Sequence, residues 1–159
     1  MTHRDRKIGS VVTVGAVVLL VSSYALATNI NTHGNICISE QPEFSQYISY
    51  TTGQGVTNTN SGSLYVMCSV PRSPLAAGAD GGFYIDGSNG PGVSTNCAME
   101  SWDYTGTFLA QHLYNSSAAT YDGWVPFAAA ELPYYSYVEL QCFLPGNSAG
   151  ILRGVTSVQ

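Results

Sequence analysis

The chain has 159 residues, a formal charge of −5 and only 9% charged side chains. Five basic residues stand against ten acids. Nucleic acid and anionic membrane surfaces are therefore excluded as partners, because both need clustered Lys or Arg to release counterions or to meet lipid headgroups.

The first residues, Met-Thr-His-Arg-Asp-Arg-Lys, lead into an uncharged, mostly apolar run from Ile8 to Leu26. Ala25-Leu26-Ala27 places small residues where a signal peptidase inspects the chain, so 1–27 read as a signal peptide and Thr28 as the mature start. The competing reading is a retained anchor, since Ile8 to Ala27 approaches the roughly 20 apolar residues that span a bilayer. Either way the remainder is expected outside the cytosol. Arg4, Arg6 and Lys7 leave with the leader, so Arg72 and Arg153 are the only cations expected on the mature chain. About 130 residues remain, which suits one domain with its own core. Their surface is built from Ser, Thr, Asn, Gly and Tyr, a hydrogen-bonding composition compatible with sugars.

Residues 28–35 read as a flexible N-terminal segment that can pair with the open sheet edge of a neighbouring molecule. From there the pattern alternates with period two and sustains no helical period. Strands are expected near Ile36–Glu40, Gln46–Thr51, Ser63–Val70, Gly82–Asp86, Thr95–Tyr104, Thr107–Tyr114, Thr120–Phe127, Tyr135–Leu144 and Gly150–Val158. The clusters GQGVTNTNSG, PRSPLAAGADGG and DGSNGPG between them supply the conformations that turns require. Short helical turns fit only around Ala76 and Phe127. Residues 36–159 thus read as a single all-β domain, an antiparallel β-sandwich, jelly-roll-like, of about eight or nine strands.

Two of these strands close alike, LYVMCSVP (Leu64 to Pro71) and VELQCFLP (Val138 to Pro145). Side chains alternate faces along a strand, so Leu64, Val66, Cys68 and Val70 share one face, as do Val138, Leu140, Cys142 and Leu144. Both sulfurs then point into the apolar layer, and each proline ends its ladder. Cys37, Cys68, Cys97 and Cys142 form an even set in an oxidising compartment without zinc or redox spacing, which reads as two disulfides. Four cysteines allow three connectivities. Cys37 with Cys68 and Cys97 with Cys142 is preferred, because each bridge then joins a strand to a later one across a moderate loop. Cys68 with Cys142 requires the two motif strands to face each other across the sandwich.

Catalytic patterns are weak. Gly146-Asn147-Ser148-Ala149-Gly150 matches G-x-S-x-G, but an alternating strand follows where a nucleophile elbow needs a helix, so it reads as a hairpin turn. His33 falls in the tail, and His112 reads as a packed or surface imidazole. The carboxylates Asp86, Glu100, Asp103, Asp122 and Glu131 show no catalytic spacing. Asp80, Asp86, Ser88 and Asn89 lie in glycine-rich loops but lack the acids at alternate positions that a calcium loop needs. No catalytic residue, metal or cofactor is expected.

Aromatic side chains are more informative. Trp102-Asp103-Tyr104 and Tyr121-Asp122-Gly123-Trp124 set rings beside carboxylates, with Tyr134-Tyr135-Ser136-Tyr137 as a further cluster. An exposed ring can cover the apolar face of a sugar or anchor a protein interface. The candidate ligand-binding set is Trp102, Asp103, Tyr104, Tyr121, Asp122 and Trp124.

Cys37, the stretch from Tyr50 to Gly55-Val56-Thr57-Asn58, Val66 to Arg72, Cys97 and Leu140 to Pro145 together resemble a group of uncharacterised exported proteins of Gram-negative bacteria. The resemblance implies export, as a secreted, periplasmic or cell-surface protein of a Gram-negative bacterium, and a disulfide-bonded β fold, and carries no activity with it. Two functions are expected from different classes. The first is a non-enzymatic surface, structural or filament component of the envelope that binds protein, either itself as a homo-oligomer or another envelope component. The alternative is a carbohydrate-binding module that takes a glycan on its exposed aromatics.

Overall fold

A computed structural model describes residues 29–51, 53–72 and 80–158. The proposed signal peptide, its cleavage site and the turn expected around Ala76 lie outside the described residues. Eleven strands are present among those described: β1 (Asn29–His33), β2 (Ile38–Ser39), β3 (Ile48–Thr51), β4 (Gly55–Asn58), β5 (Leu64–Val70), β6 (Gly81–Asn89), β7 (Thr95–Trp102), β8 (Phe108–Ser116), β9 (Thr120–Phe127), β10 (Tyr137–Leu144) and β11 (Gly150–Val158). They form two antiparallel sheets, one of five strands ordered β2-β5-β10-β7-β8. The other has six, ordered β3-β4-β11-β6-β9, with β1 also paired to β11. The chain is an all-β sandwich with two disulfides, as alternation and cysteine count predict.

Burial follows the pleat. In β5 Leu64, Val66, Cys68 and Val70 are buried while Tyr65 and Ser69 are exposed, and β10 buries Val138, Leu140, Cys142 and Leu144. From the six-stranded sheet Phe83, Ile85, Val125, Phe127, Leu152 and Val155 join them in a single core. Phe83 and Phe127 meet edge to face, with centroids 5.5 Å apart, the arrangement that ring quadrupoles favour.

The bridges are Cys37–Cys68 and Cys97–Cys142, the preferred pairing. Cys97 and Cys142 sit directly opposite each other in the β7–β10 ladder. Ile38 pairs with Met67, so Cys37 stands one step beyond that ladder, across from Cys68. The motif strands β5 and β10 are neighbours in one sheet, with Leu140 opposite Cys68, so they do not face each other across the sandwich.

Two segments differ from the sequence reading. Residues 29–33, expected as a flexible tail free to join another molecule, pair with the chain's own β11, from Asn29 opposite Val158 to His33 opposite Gly154. Gly55–Asn58, expected inside a turn, is a fully buried strand paired with β3 and with Ile151 and Leu152 of β11. Gly55 has φ +109°, and an added Cβ would stand 2.1 Å from the Leu152 carbonyl oxygen, so only glycine fits. Asn58 is fully buried yet satisfied: its amide donates to the carbonyls of Gly62 and Leu144, and its oxygen accepts from Asn60 N–H. Smaller shifts occur at the start, where 3-10 turns at Gly34–Ile36 and Pro42–Tyr47 replace the beginnings of two expected strands. The turn expected near Phe127 is a 3-10 turn at Ala129–Glu131.

The bridges span 31 and 45 residues. Loops of that length correspond to about 4 kcal/mol each in the chain-entropy model. Replacing Cys97 and Cys142 together by Ala is expected to lower unfolding free energy by about 3 to 4 kcal/mol, read as a lower urea midpoint with a steeper slope, because the unlinked denatured chain exposes more surface. A loss below about 1 kcal/mol would contradict a bridge that constrains the unfolded chain.

Candidate functional site

The outer face of the six-stranded sheet carries the most built group of predicted residues. In β9 the pleat sends Tyr121, Val125 and Phe127 inward and Asp122 and Trp124 outward. In β6 it sends Phe83 and Ile85 inward and Tyr84 and Asp86 outward. Register then places Tyr84 opposite Trp124 and Asp86 opposite Asp122. The two rings lie 4.8 Å apart at 47°, and remain 38% and 42% exposed. Trp124 lies over Gly82, where a Cβ would come within 2.4 Å of the indole carbons. Glycine there lets the indole lie over the backbone with its other side open to solvent.

Two carboxylates set directly opposite each other repel. The Asp86 carboxyl is held above its ordinary value of 3.8, first by burial and then by the charge and hydrogen bond of Asp122, against the opposing pull of Arg153. Arg153 also borders a groove of about 450 Å³ with Asn31, His33, Asp86 and Thr156. There Thr156 Oγ1 donates to Asn31 Oδ1 at 2.9 Å, so the segment expected to be loose contributes polar groups to this face.

On the other side of Trp124 lies an open cleft of about 770 Å³, whose walls include Asp80, His112, Phe127, Glu131 and Val158. His112 Nε2 stands 3.1 Å from Glu131 Oε2, and its ring meets Phe127 edge-on at 4.4 Å. The same carboxylate oxygen accepts from Ala128 N–H at 2.8 Å. His112 is a half-buried imidazole packed against the core rim, in keeping with the expectation for it.

The other predicted residues go elsewhere. Tyr121 is 7% exposed, donates its hydroxyl to the Ile151 carbonyl, and has its phenol pushed up to about 12, mainly by burial. It is a core residue and offers no ring to a ligand. Trp102 points out of the five-stranded sheet, so the two tryptophans lie on opposite faces of the molecule. Asp103 closes a turn: its Oδ1 accepts from Thr105 N–H, Thr105 Oγ1 and Thr107 N–H, which hold the carboxyl below its ordinary range. Tyr104 is 76% exposed and meets Tyr135 edge to face. The six residues therefore form no single site.

Gly146 to Gly150 is a turn, with Asn147 and Ser148 both at φ 56°. It joins β10 to β11, which belong to different sheets, so it is an inter-sheet connection and not a hairpin. A strand follows it, so no elbow forms. Of the calcium-like residues, Asn89 is buried and ties Ser116, Ala118 and Thr95 together, and Asp80 accepts from Ala129 N–H.

Sequence reasoning missed Arg72. Its guanidinium donates to the carbonyls of Ser136 at 3.1 Å, Pro133 at 2.6 Å, Tyr134 at 3.3 Å and Leu132 at 3.5 Å. Burial pulls this guanidinium down from its ordinary value, and the carbonyl oxygens replace the lost water. A planar fork of donors is what lets one side chain hold several backbone carbonyls at once. Its sequence signal was the Pro71-Arg72 step that ends β5.

No family model matches the chain, and no curated protein sequence does. Among solved structures, xylan-binding module CBM15 aligns with a TM-score of 0.51 at 13% identity, over 83% of this chain and 96% of that one. The enzymatically active domain of tailspike protein 4 of bacteriophage CBA120 gives 0.41 at 10% identity, over 83% and 18%. CBM28, a carbohydrate-binding module specific for non-crystalline cellulose, gives 0.29 at 12%, over 83% and 70%. The first likeness is one of fold.

Two outcomes follow from this geometry. Folding raises the Asp86 value, so the folded state gains its proton first as pH falls; the repulsive cost is complete above the raised value and fades towards 3.8. Asp122→Asn is expected to stabilise the protein at pH 7 by about 0.2 to 1 kcal/mol, with the gain shrinking in thermal melts at lower pH. Arg72→Ala is expected to cost about 2 kcal/mol and to speed amide exchange at residues 134–136; unchanged exchange there would show that the guanidinium does not hold this loop.

Proposed function

We propose that the protein is a carbohydrate-binding module, and that Tyr84 and Trp124 form its platform. The observation that carries this reading is the exposed ring pair set over Gly82 with Asp86 and Asp122 in the next row. A pyranose with equatorial substituents presents a flat C–H face to such rings, while its hydroxyls reach carboxylates and amides at the side. One cation, Arg153, and the polar groups of Asn31 and Thr156 complete the face. In this reading the carboxylates accept hydroxyl hydrogens and perform no acid–base chemistry.

The fold shared with a xylan-binding module supports this choice and directs the first ligand to be tried. Two buried disulfides suit an oxidising compartment outside the cytosol, and no helix among the described residues is long and apolar enough to cross a membrane. Export of a non-catalytic glycan binder is the cellular setting proposed. The filament reading drew on a free N-terminal segment, and β1 is already paired within its own chain.

Calorimetric titration of xylohexaose, cellohexaose and mannohexaose tests the reading. Trp124→Ala is expected to weaken binding at its site at least about tenfold, equivalent to about 1.4 kcal/mol, with near-ultraviolet dichroism unchanged. Equal affinity of the variant and the parent at every site would remove Trp124 from any binding role.

A further inference from the structure

The outer face of the five-stranded sheet repeats, position for position in the ladder, a residue pattern found on the six-stranded one. In the β10–β7 ladder Tyr137 stands opposite Trp102 and Glu139 opposite Glu100. In the β6–β9 ladder Tyr84 stands opposite Trp124 and Asp86 opposite Asp122. Each quartet has Tyr and an acid two residues apart on one strand and an acid and Trp two residues apart on its neighbour: Tyr84-Ile85-Asp86 with Asp122-Gly123-Trp124, and Tyr137-Val138-Glu139 with Glu100-Ser101-Trp102. Both tryptophans of the chain are used this way. Packing does not account for the acids, because like charges directly opposite each other in a ladder are destabilising.

We infer that the second quartet is a second binding surface for the same class of ligand, so that one molecule holds two polysaccharide chains on opposite faces. This rests on the carbohydrate-binding reading. Tyr137 is 49% exposed, and Trp102 meets the exposed Phe108 ring edge to face at 5.2 Å. Six residues along β10 from Tyr137, Phe143 meets Tyr65 with centroids 4.7 Å apart and planes tilted by 51°, a ring pair about 20 Å from Tyr137 at the rise of an antiparallel strand. Between the ring pairs lie hydrogen-bonding groups. Gln111 donates to Glu100 at 2.7 Å and Gln141 to Glu139 at 3.1 Å, leaving further carboxylate and amide oxygens as acceptors.

Charge sets the ligand class. Among the described residues the two arginines are accounted for elsewhere, Arg72 on the loop after Leu132 and Arg153 on the opposite face. A face with two glutamates and no cation repels uronate or sulfated chains and accepts a neutral polyol. The ligand is therefore a neutral polysaccharide of equatorially linked pyranoses, bound along the line from Tyr137 and Trp102 to Phe143 and Tyr65.

Titration of the whole protein with xylohexaose, cellohexaose and mannohexaose counts the sites. Two sites per chain are expected for at least one of these. Trp124→Ala should leave one site, as should Trp102→Ala, and the double variant none. Tyr137→Ala, at an exposed position, should weaken the second site at least about tenfold and guards against a Trp102 variant that fails to fold. Parent protein adsorbed on insoluble xylan or cellulose should capture labelled hexaose from solution, and neither single Trp variant should. One site per chain, lost in Trp124→Ala and untouched by Trp102→Ala or Tyr137→Ala, would overturn the second surface and leave the proposed function standing. One site lost only in Trp102→Ala and Tyr137→Ala would overturn the platform at Trp124 and the two-chain inference together. Absence of binding to all three hexaoses would overturn both.

Discussion

A disulfide between directly opposed positions of two strands admits only one register. Cys97 faces Cys142 in the β7–β10 ladder, and Cys37 stands across from Cys68 at the end of the β2–β5 ladder. Both bridges thus sit in the five-stranded sheet, one on either side of the β5–β10 pair. A slip of one residue would turn every inward side chain outward. What that sheet presents on its outer face depends on this constraint, because Trp102 stands opposite Tyr137 only in the register that the sulfurs enforce five steps away.

The six-stranded sheet has no bridge and obtains its alignment from shape. Small residues lie where bulky neighbours press close: Gly82 beneath the Trp124 indole, Gly87 against the Tyr121 hydroxyl and the Ile151 carbonyl. Buried amides act in the same direction. Asn58 ties the end of β4 to the end of β10, and Asn89 ties the end of β6 to the turn between β8 and β9. These contacts reach across the sandwich, so the covalently fixed sheet aligns the other through hydrogen bonds that buried groups cannot forgo.

Much of the fold was legible because one rule, alternation, governs the long strands; Thr120–Phe127 and Gly150–Val158 run where the pattern puts them. The rule failed where the determinant is distant. Gly55–Asn58 has the composition of a turn, and its pairing with β3 on one side and with the distant β11 on the other makes it a strand. Asn29–His33 is a strand because β4 covers only the first few positions on that edge of β11. The same contrast holds at the candidate site. Alternation within Thr120–Phe127 already separates Tyr121 from Asp122 and Trp124, and applying it there removes Tyr121. Adjacency misled at Trp102-Asp103-Tyr104, where the strand ends and a turn consumes the carboxylate. Tyr84 and Asp86 acquire their meaning only through pairing with β9, which no local pattern reports.

The pairing of Asn29 with Val158 brings the two ends of the described fold side by side. A load applied between the flanking segments therefore acts across the β1–β11 ladder at its open end, not along it. Its hydrogen bonds run perpendicular to the strands, so they would break in succession, as a zip opens, instead of sharing the force. Tension carried through the chain ends therefore loads these bonds one at a time, whereas tension carried face to face meets the packed core.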